Sequence, residues 1–335
     1  MTNLFSELGL PKAVVDAVTD LGYITPTPVQ QQAIPALLSG RDVLAAAQTG
    51  TGKTAAFALP VISKMLAAPK ARAAKKVRAL VLAPTRELAA QIDENIRAYC
   101  AQTELNTVLI FGGVNIRPQT EALLKGCDFL IATPGRLLDH AGQLNVDLSE
   151  VEFLILDEAD RMLDMGFSED IMKIVSYMPK ERQTIMFSAT LPPKIRELAK
   201  TILRNPAEVN IAISKPNEAI DQSAYVCYEN QKLGIIREMF AEPTESKTII
   251  FSSSKMKVKE LAHTLKRMKL NVAAMHSDLE QAQREEVMLD FKNNKVSILV
   301  ATDIVARGID IEDIGLVINY DVPHDPEDYI HRIGR

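Results

Sequence analysis

The sequence has little cysteine and no apolar run long enough to cross a membrane. Its three cysteines, Cys100, Cys127 and Cys227, are far apart and odd in number, which argues against a disulfide framework and a zinc cluster and favours free, buried thiols. No apolar stretch approaches the roughly 20 residues of a membrane helix. The N-terminus MTNLFSELGL also lacks the basic and then apolar layout of a signal peptide. These absences predict a cytoplasmic protein without a membrane segment.

An excess of positive charge is also missing. The chain has 38 Lys and Arg against 43 Asp and Glu, for a formal net charge of -5. A basic excess is the usual electrostatic sign of nucleic-acid binding, so any such binding has to come from a local strip of residues. The remaining composition, 47% hydrophobic and 24% charged, is typical of a globular protein. A length of 335 residues favours two domains.

Short apolar runs alternate with helical stretches, in the pattern of parallel sheets with crossover helices. In the segment 87–99, for example, Leu88, Ile92 and Ile96 recur at helical spacing. A first group of predicted strands covers 42–47, 79–83, 107–111, 129–133, 153–156 and 184–187. A second group covers 224–227, 248–251, 272–275, 298–301 and 316–320.

The break between the two groups predicts the domain boundary. We expect an N-terminal domain over 1–213 and a C-terminal domain over 220–335. The segment between them, 214–219, reads SKPNEA, and its polar character and proline suit a linker. Six residues reach at most about 20 Å, so the two domains would be able to open and close without separating. The fold class is therefore predicted as α/β.

The segment AQTGTGKT at 47–54 follows the first predicted strand and resembles a phosphate-binding loop. Backbone N–H groups of such a loop cradle phosphates, while Lys53 would reach the outer phosphates and the Thr54 hydroxyl would hold Mg²⁺. The strict pattern has glycine where this chain has Ala47. The alternative is an ordinary helix N-terminus that contains glycine and a solvated lysine.

A second motif, LILDEAD at 154–160, supplies carboxylates after a continuous apolar run. Such a run is typical of a parallel strand buried on both faces, and open α/β sheets bind ligands at the carboxyl ends of their strands. There Asp157 would help to hold a metal ion and its bound water, and Glu158 would orient or deprotonate an attacking water. A solvated acidic turn is the alternative. Together the two motifs predict a site for ATP and Mg²⁺.

The C-terminal domain has no phosphate loop of its own, but it is able to complete the site of the first. Its candidates are Asp310 in ATDIVARGID, and His331 and Arg335 in the helix-like PEDYIHRIGR. Positions 331 and 335 share one face of a helix. An arginine that a closing domain brings to the γ-phosphate accelerates hydrolysis by about 10³ to 10⁵.

The chain resembles the DEAD-box RNA helicases of superfamily 2, and the resemblance covers nearly its whole length. The motifs run from GYITPTPVQ at 22–30 through AQTGTGKT, PTRELA at 84–89, TPGR at 133–136, DEAD and SAT at 188–190, to IIFSSS at 249–254, QAQR at 281–284, ATDIVARGID at 301–310 and HRIGR at 331–335. The amino-acid sequence of the segment LDEADRMLDMGF is similar to that of bacterial, RhlE-like members. The resemblance implies two RecA-like parallel-sheet domains in tandem and an RNA-stimulated ATPase that unwinds short RNA duplexes.

The resemblance also implies an adenine pocket ahead of the phosphate loop. The Gln30 amide matches adenine, because it donates to N7 and accepts from N6. Tyr23 would stack on the base with Phe5 packed behind it, although capping of the sheet edge is an alternative for both aromatics. The full set implied for ATP is Phe5, Tyr23, Thr25, Gln30, Gln48, Thr49, Gly50, Thr51, Gly52, Lys53, Thr54 and Asp310.

RNA contacts implied by the resemblance run through the phosphate backbone and not through base edges. The expected partner is therefore RNA of any sequence, bound by a monomer. The implied RNA residues are Pro84, Thr85, Arg86, Gly113, Thr133, Gly135, Arg136, Ser253, Arg284, Thr302 and Asp303. Ordinary helix caps are the alternative for Thr85, Thr133 and Thr302. Asp160, Ser188 and Thr190 would couple hydrolysis to unwinding, through hydrogen bonds toward Asp160.

The chain departs from the family at its end. The last motif normally continues past HRIGR toward a second arginine, whereas this sequence stops at Arg335. We therefore expect an incomplete second domain. This leaves open a second hypothesis, an ATP- and RNA-responsive clamp with little turnover. A DNA-directed translocase is a third, which Gln30 and the DEAD motif disfavour.

Overall fold

The computed structural model describes residues 3–48, 50–211, 220–241, 246–302, 313–323 and 326–333. By its internal contacts the chain divides into two compact units, Met1–Ile213 and Ser214–Arg335. Each unit is an α/β structure with its own parallel sheet, and each is described by itself.

The first unit contains a seven-stranded sheet in the order β3-β4-β2-β5-β6-β1-β7, and every neighbouring pair is parallel. The strands are β1 (Val43–Ala46), β2 (Val77–Leu82), β3 (Thr107–Ile110), β4 (Cys127–Ala132), β5 (Phe153–Leu156), β6 (Gln183–Ser188) and β7 (Ala207–Asn210). A 3₁₀ helix covers Leu4–Leu8, and the α-helices are α1 (Lys12–Asp20), α2 (Pro28–Leu38), α3 (Lys53–Ala67), α4 (Arg86–Tyr99), α5 (Ile116–Leu124), α6 (Pro134–Gly142), α7 (Ala159–Asp164), α8 (Ser168–Ser176) and α9 (Pro193–Ile202).

Both faces of this sheet are buried, which explains why its strands are continuously apolar. Along β2 the side chains alternate between two cores: Ala79 and Val81 belong to one cluster, and Leu80 and Leu82 to the other. Period-two alternation between two apolar layers is what a parallel sheet covered by helices on both sides requires. The same arrangement brings the carboxyl ends of all the strands to one edge, where the loops of the candidate site lie.

The second unit has a four-stranded parallel sheet in the order β11-β8-β10-β9. Its strands are β8 (Lys247–Phe251), β9 (Val272–Met275), β10 (Ile298–Ala301) and β11 (Ile314–Asn319). Its helices are α10 (Glu229–Met239), α11 (Lys255–Arg267), α12 (Gln281–Lys292) and, last in the described part, α13 (Pro326–Ile333).

Ten of the eleven predicted strands are confirmed, each within two residues of its predicted bounds. The predicted strand at 224–227 is wrong, because residues 221–228 have no regular secondary structure. Tyr225, Val226 and Tyr228 are exposed there. Residues of high β propensity form a strand only where a neighbouring strand pairs with them and packs against them, and in the described residues no strand pairs with this segment.

The amphipathic helix predicted over 87–99 is confirmed as α4, with Leu88, Ile92 and Ile96 buried. The cysteines are free. Burial raises the pKa of Cys100 and of Cys127 to about 12, whereas Cys227 is only half-buried, so the prediction of buried thiols holds for two of the three. Among the described residues, no helix combines the length and the apolar character that a membrane crossing requires.

Candidate functional site

The predicted phosphate loop connects β1 to α3 at the carboxyl edge of the first sheet. Its end is left-handed at Gly52 (φ +83°), which is the N-cap of α3, so the helix begins at Lys53 with its N–H groups turned toward the loop. Inside the loop the Thr51 hydroxyl donates to the Gln48 carbonyl over 2.7 Å. Ala47, where the strict pattern has glycine, is buried and donates its N–H to the Ser188 carbonyl of β6. Thr49 lies outside the described residues.

Lys53 and Asp157 are brought face to face by this loop and by the end of β5. Lys53 Nζ lies 3.6 Å from Asp157 Oδ1, and both side chains are almost completely buried. Burial alone would lower the pKa of Lys53, but the carboxylates of Asp157, Glu158 and Asp160 outweigh it and raise that pKa above its ordinary value. Within the described residues, Lys53 Nζ has no hydrogen-bond partner. A buried ammonium that is paired by charge and lacks a hydrogen bond is suited to receive an anionic ligand.

Glu158 stands at the turn between β5 and α7 in a conformation that is unusual for a residue with a side chain. Its φ of 51° and ψ of 52° place it in the left-handed region as the N-cap of α7, and such strain clusters at functional sites. The Glu158 N–H donates to Asp157 Oδ1 over 3.0 Å. Arg161 Nη1 donates to Glu158 Oε2 over 3.2 Å. Arg161 was not among the predicted site residues, although its i, i+3 spacing from Glu158 at a helix start is a signal for this contact.

Asp160 links α7 to the loop after β6. Its Oδ2 accepts hydrogen bonds from the backbone N–H groups of Ala189 (3.0 Å) and Thr190 (3.2 Å). The Ser188 hydroxyl donates instead to the Thr190 carbonyl over 2.6 Å. The three predicted coupling residues are therefore brought together, but the bonds to Asp160 come from the backbone of the SAT segment and not from its hydroxyls.

Gln30 lies beside the phosphate loop. Its Oε1 accepts from the Thr27 N–H (2.9 Å), which forms the capping box of α2, and its Nε2 donates to the Gly52 carbonyl (3.1 Å). The Thr27 hydroxyl also donates to the Thr51 carbonyl over 2.8 Å. The start of α2 is thus fixed to the phosphate loop. Thr27 was missed from the sequence, where a threonine before proline signals only a helix start.

The two predicted adenine aromatics differ in their surroundings. Phe5 is 1% exposed and belongs to the hydrophobic core, which agrees both with the predicted packing behind Tyr23 and with the alternative of hydrophobic capping. Tyr23 is 39% exposed, with its ring centroid 6.4 Å from that of Tyr99. Thr25 is exposed nearby. Tyr23 therefore keeps the exposure that a stacking residue needs.

The predicted RNA residues of the first unit follow β2, β3 and β4, which are neighbours in the sheet. The Arg86 guanidinium lies against Gly113, close enough that a Cβ there would come within 2.3 Å of Nη1. Arg136 Nη2 donates to the Val114 carbonyl over 3.2 Å. The guanidinium groups of Arg86 and Arg136 thus both lie against the loop after β3. Of the others, Thr133 is half-buried, Pro84 is buried and Gly135 is exposed.

The two threonines behave differently as helix caps. The Thr85 hydroxyl accepts from the Leu88 N–H over 3.3 Å and caps α4, as the alternative held. Thr133 occupies the N-cap position of α6 without a side-chain hydrogen bond of that kind. For Thr133 the helix-cap alternative is therefore the weaker of the two.

In the second unit, Ser253, Arg284 and Thr302 lie near the carboxyl ends of the strands. The Ser253 N–H and hydroxyl both donate to Asp321 Oδ2, each over 2.9 Å. These donors are therefore engaged by a carboxylate, which the sequence did not reveal because Asp321 is 68 positions away. Arg284 Nη2 donates to the Ser277 carbonyl over 3.1 Å. Asp303, Asp310, Arg335 and the His331 side chain lie outside the described residues.

The donor set after β1 and β5 fits Mg²⁺ held together with phosphates. In the described residues no group of three or more His, Cys, Asp or Glu side chains is placed to hold a metal ion. Mg²⁺ is usually bound through one or two carboxylates together with substrate phosphates. Asp157, with Thr54 half-buried on the first turn of α3, matches that requirement and would not hold a metal tightly by itself.

Comparisons with known proteins agree with this geometry. Residues 27–198 match the family model described as DEAD/DEAH box helicase, and residues 231–335 match helicase conserved C-terminal domain. The chain is 42% identical over 99% of its length to the DEAD-box ATP-dependent RNA helicase RhpA of Helicobacter pylori, of which it covers 66%, and 44% identical over 99% to the ATP-dependent RNA helicase DeaD of Mycobacterium tuberculosis, of which it covers 58%. It thus spans less than two thirds of the length of these curated relatives.

A solved structure resembles the whole chain. S. cerevisiae Dbp5 bound to RNA and ADP BeF3 matches with a TM-score of 0.89 and 31% identity, over 100% of this chain and 86% of that one. The predicted fold class, two RecA-like parallel-sheet domains in tandem, is confirmed by this match and by the two sheets.

Proposed function

This chain belongs to the DEAD/DEAH box helicase family, and from that membership we propose that it is an ATP-dependent RNA helicase. It would bind single-stranded RNA and locally separate short duplexes while it hydrolyses ATP to ADP and phosphate. The observation that carries the proposal is the buried pair of Lys53 and Asp157, with Glu158 at the same strand end. This is the arrangement of cation, metal ligand and water-orienting carboxylate that phosphoryl transfer to water requires.

In this proposal each residue of the pair changes its partner when ATP binds. Lys53 turns from Asp157 to the outer phosphates, which is favoured because its ammonium has no hydrogen bond to give up among the described residues. Thr54 and Asp157 would hold Mg²⁺, which neutralises phosphate charge when bound. Glu158 orients the attacking water and accepts its proton. Gln30 donates a hydrogen bond to the Gly52 carbonyl, so adenine binding at Gln30 would also affect the phosphate loop.

We propose that RNA lies along the carboxyl edge of β2, β3 and β4. The support is the gathering of Arg86 and Arg136 on the loop that contains Gly113 and Val114. Guanidinium groups and backbone N–H groups position a phosphate backbone without reading its sequence. Hydroxyl groups at the 2′ position of the ribose would then favour RNA over DNA.

The wider organisation is part of the same proposal. Residues 1–213 would form the ATP-binding domain, 214–219 the linker and 220–335 the second helicase domain, and the division of the chain into two compact units supports this. Asp310, His331 and Arg335 would complete the ATP site, and Asp303 would join Thr302 at the RNA. The cytoplasmic location, the monomeric state and the likeness to RhlE-like members stay predictions.

Two substitutions test the chemistry in the full chain. We expect Glu158→Gln to lower the RNA-stimulated ATPase rate by about 10² to 10⁴, as loss of a general base does, with nucleotide affinity retained. Lys53→Ala is expected to weaken nucleotide binding, because the buried carboxylates lose their cation. Glu169→Gln, on the exposed side of α8, is the matched control. An unchanged RNA-stimulated rate in Glu158→Gln would refute the assignment, and equal stimulation by matched RNA and DNA strands would refute the RNA preference.

A further inference from the structure

Arg161 lies directly behind the proposed catalytic carboxylate. Its Nη1 is 3.2 Å from Glu158 Oε2, one turn apart at the start of α7. The exposed fractions of the two side chains are 8% and 10%. At this burial an ion pair is only weakly screened by solvent and salt, so the contact is more than a surface pairing.

The described contacts pair this arginine with Glu158. Three carboxylates meet here, and two of them have other partners: Asp157 faces Lys53, and Asp160 accepts the N–H groups of Ala189 and Thr190. On the proposed function, ATP would draw Lys53 to the phosphates. Arg161 would then stay beside Glu158.

The left-handed backbone conformation of Glu158 gives the contact between Arg161 and Glu158 a second role. A residue with a side chain in the left-handed region is held there by its surroundings, and here the Asp157 carboxylate holds the Glu158 N–H from one side. Arg161 holds the carboxylate from the other. A guanidinium is planar, always charged and presents donors in a fixed fork, so it restricts the carboxylate to one orientation more strongly than a lysine would.

We infer that Arg161 is a positioning residue for hydrolysis, which holds the Glu158 carboxylate in the orientation that serves the attacking water. The inference rests on the proposed function. A base that is misplaced by about 1 Å loses about 10²-fold in rate, so the cost of removing Arg161 should fall on kcat. Binding of ATP and of RNA should not change, because Arg161 is assigned no contact with either.

The test is Arg161→Met in the full chain, with Arg161→Lys as the conservative variant and Arg196→Met, on the exposed face of α9, as the matched control. We expect Arg161→Met to lower RNA-stimulated kcat by about 10-fold to 100-fold, with the KM for ATP and the affinity for fluorescent ADP unchanged. Arg161→Lys should recover part of the loss, and Arg196→Met should lose nothing. A crystal structure of Arg161→Met should show the Glu158 carboxylate displaced.

A double substitution separates positioning from a general loss of structure. In a Glu158→Gln background, Arg161→Met should change the residual rate by less than about twofold, because residues that act through one another are not additive. A kcat within about twofold of the unsubstituted protein in Arg161→Met, or an equal loss in both backgrounds, would overturn the inference. If Arg161→Met does not fold, Arg161→Lys decides in the same way, with a smaller expected loss.

The two proposals fail differently. If the unsubstituted chain shows no RNA-stimulated hydrolysis, the proposed function itself is wrong. If Glu158→Gln leaves that hydrolysis intact, the role proposed for Glu158 is wrong. If Glu158→Gln abolishes hydrolysis and Arg161→Met does not affect it, only the role of Arg161 is wrong.

Discussion

Two adjacent glycines after β3 differ sharply in what a side chain would meet. Gly113 has φ +84°, and a Cβ built on it would collide with the Arg86 guanidinium at 2.3 Å. Nothing lies within 4 Å of a Cβ built on Gly112. The left-handed conformation costs a residue with a side chain about 1–2 kcal/mol. Glycine at 113 is therefore required for two reasons: it adopts the left-handed turn without strain, and it leaves room for the Arg86 guanidinium.

This contrast gives a matched pair of substitutions. We expect Gly113→Ala to displace Arg86 and to weaken RNA binding by about 10-fold to 100-fold, since a charge-assisted hydrogen bond contributes about 1.5–3 kcal/mol and 1.4 kcal/mol is tenfold in affinity. Gly112→Ala should leave the affinity for RNA unchanged. Both affinities are measured by fluorescence anisotropy with a labelled RNA strand. Equal affinities in the two variants would contradict the placement of RNA on this loop.

At the scale of the elements, strands with continuous apolar runs could be predicted from the sequence, whereas one half-polar edge strand could not. Strands buried on both faces, such as β5, show as continuous apolar runs. Strand β7 was missed because only Val209 of its four residues is buried, so a half-polar edge strand leaves no run to detect. The segment 224–227 gave the opposite error, because propensity was present without a neighbouring strand.

The carboxyl ends of β8 and β11 are joined by one side chain. Asp321, just after β11, accepts from the Ser252 hydroxyl and from both donors of Ser253, after β8. Lys232 and Lys257 approach its other oxygen at 3.1 and 2.9 Å. Burial alone would raise the pKa of Asp321, but the hydrogen bonds from Ser253, Lys257 and Ser252 lower it well below its ordinary value.

Asp321→Asn should therefore loosen this junction in a way that depends on pH. A carboxylate whose pKa is lower in the folded state adds stability above its unfolded pKa, about 3.9, and that stability is lost as pH falls through the folded pKa. We expect faster hydrogen exchange of the amides at 251–254 in Asp321→Asn at pH 7, and a smaller difference from the unsubstituted protein below about pH 4.

The control for this experiment is Asp278→Asn. Asp278 is an exposed carboxylate paired with Lys255 and Lys259, and exposed ion pairs contribute about 0–1 kcal/mol. The Asp278→Asn variant should leave hydrogen exchange of the amides at 251–254 unchanged. A difference between Asp321→Asn and the unsubstituted protein that is constant from pH 7 to pH 3 would exclude the charge of Asp321 as the cause.

For the whole molecule, the sequence predicted which candidate residues lie close together better than it predicted the hydrogen bonds and ion pairs that they make. Lys53, Asp157 and Glu158 follow strands that are legible as apolar runs, and parallel topology alone brings their ends to one edge. Arg161, Thr27 and Asp321 were not foreseen. Their roles depend on which neighbour a side chain reaches, and in Asp321 that neighbour is 68 positions away in the chain. The contacts of Asp321 with Ser253 and of Thr27 with Thr51 are set by tertiary packing, which no local pattern encodes, whereas the spacing of Arg161 from Glu158 is a local signal.

The division into two units makes a final prediction about the molecule. The first unit contains the phosphate loop, the pair of Lys53 and Asp157 and two apolar cores of its own. We therefore expect residues 1–213 alone to fold and to bind ATP with about the affinity of the full chain. RNA-stimulated hydrolysis should be lower by about 10³ or more, because the cation that stabilises charge on the transferred phosphate comes from the second domain in our proposal.

The measurement compares nucleotide affinity and RNA-stimulated ATPase of residues 1–213 with those of the full chain. Lys53→Ala in the fragment is the control, since it should remove the nucleotide binding that the fragment retains. If the fragment hydrolyses ATP with full RNA stimulation, the second domain supplies no catalytic group. If the full chain binds ATP and RNA but turns over no faster than a nearly inactive fragment, the chain acts as an ATP- and RNA-responsive clamp.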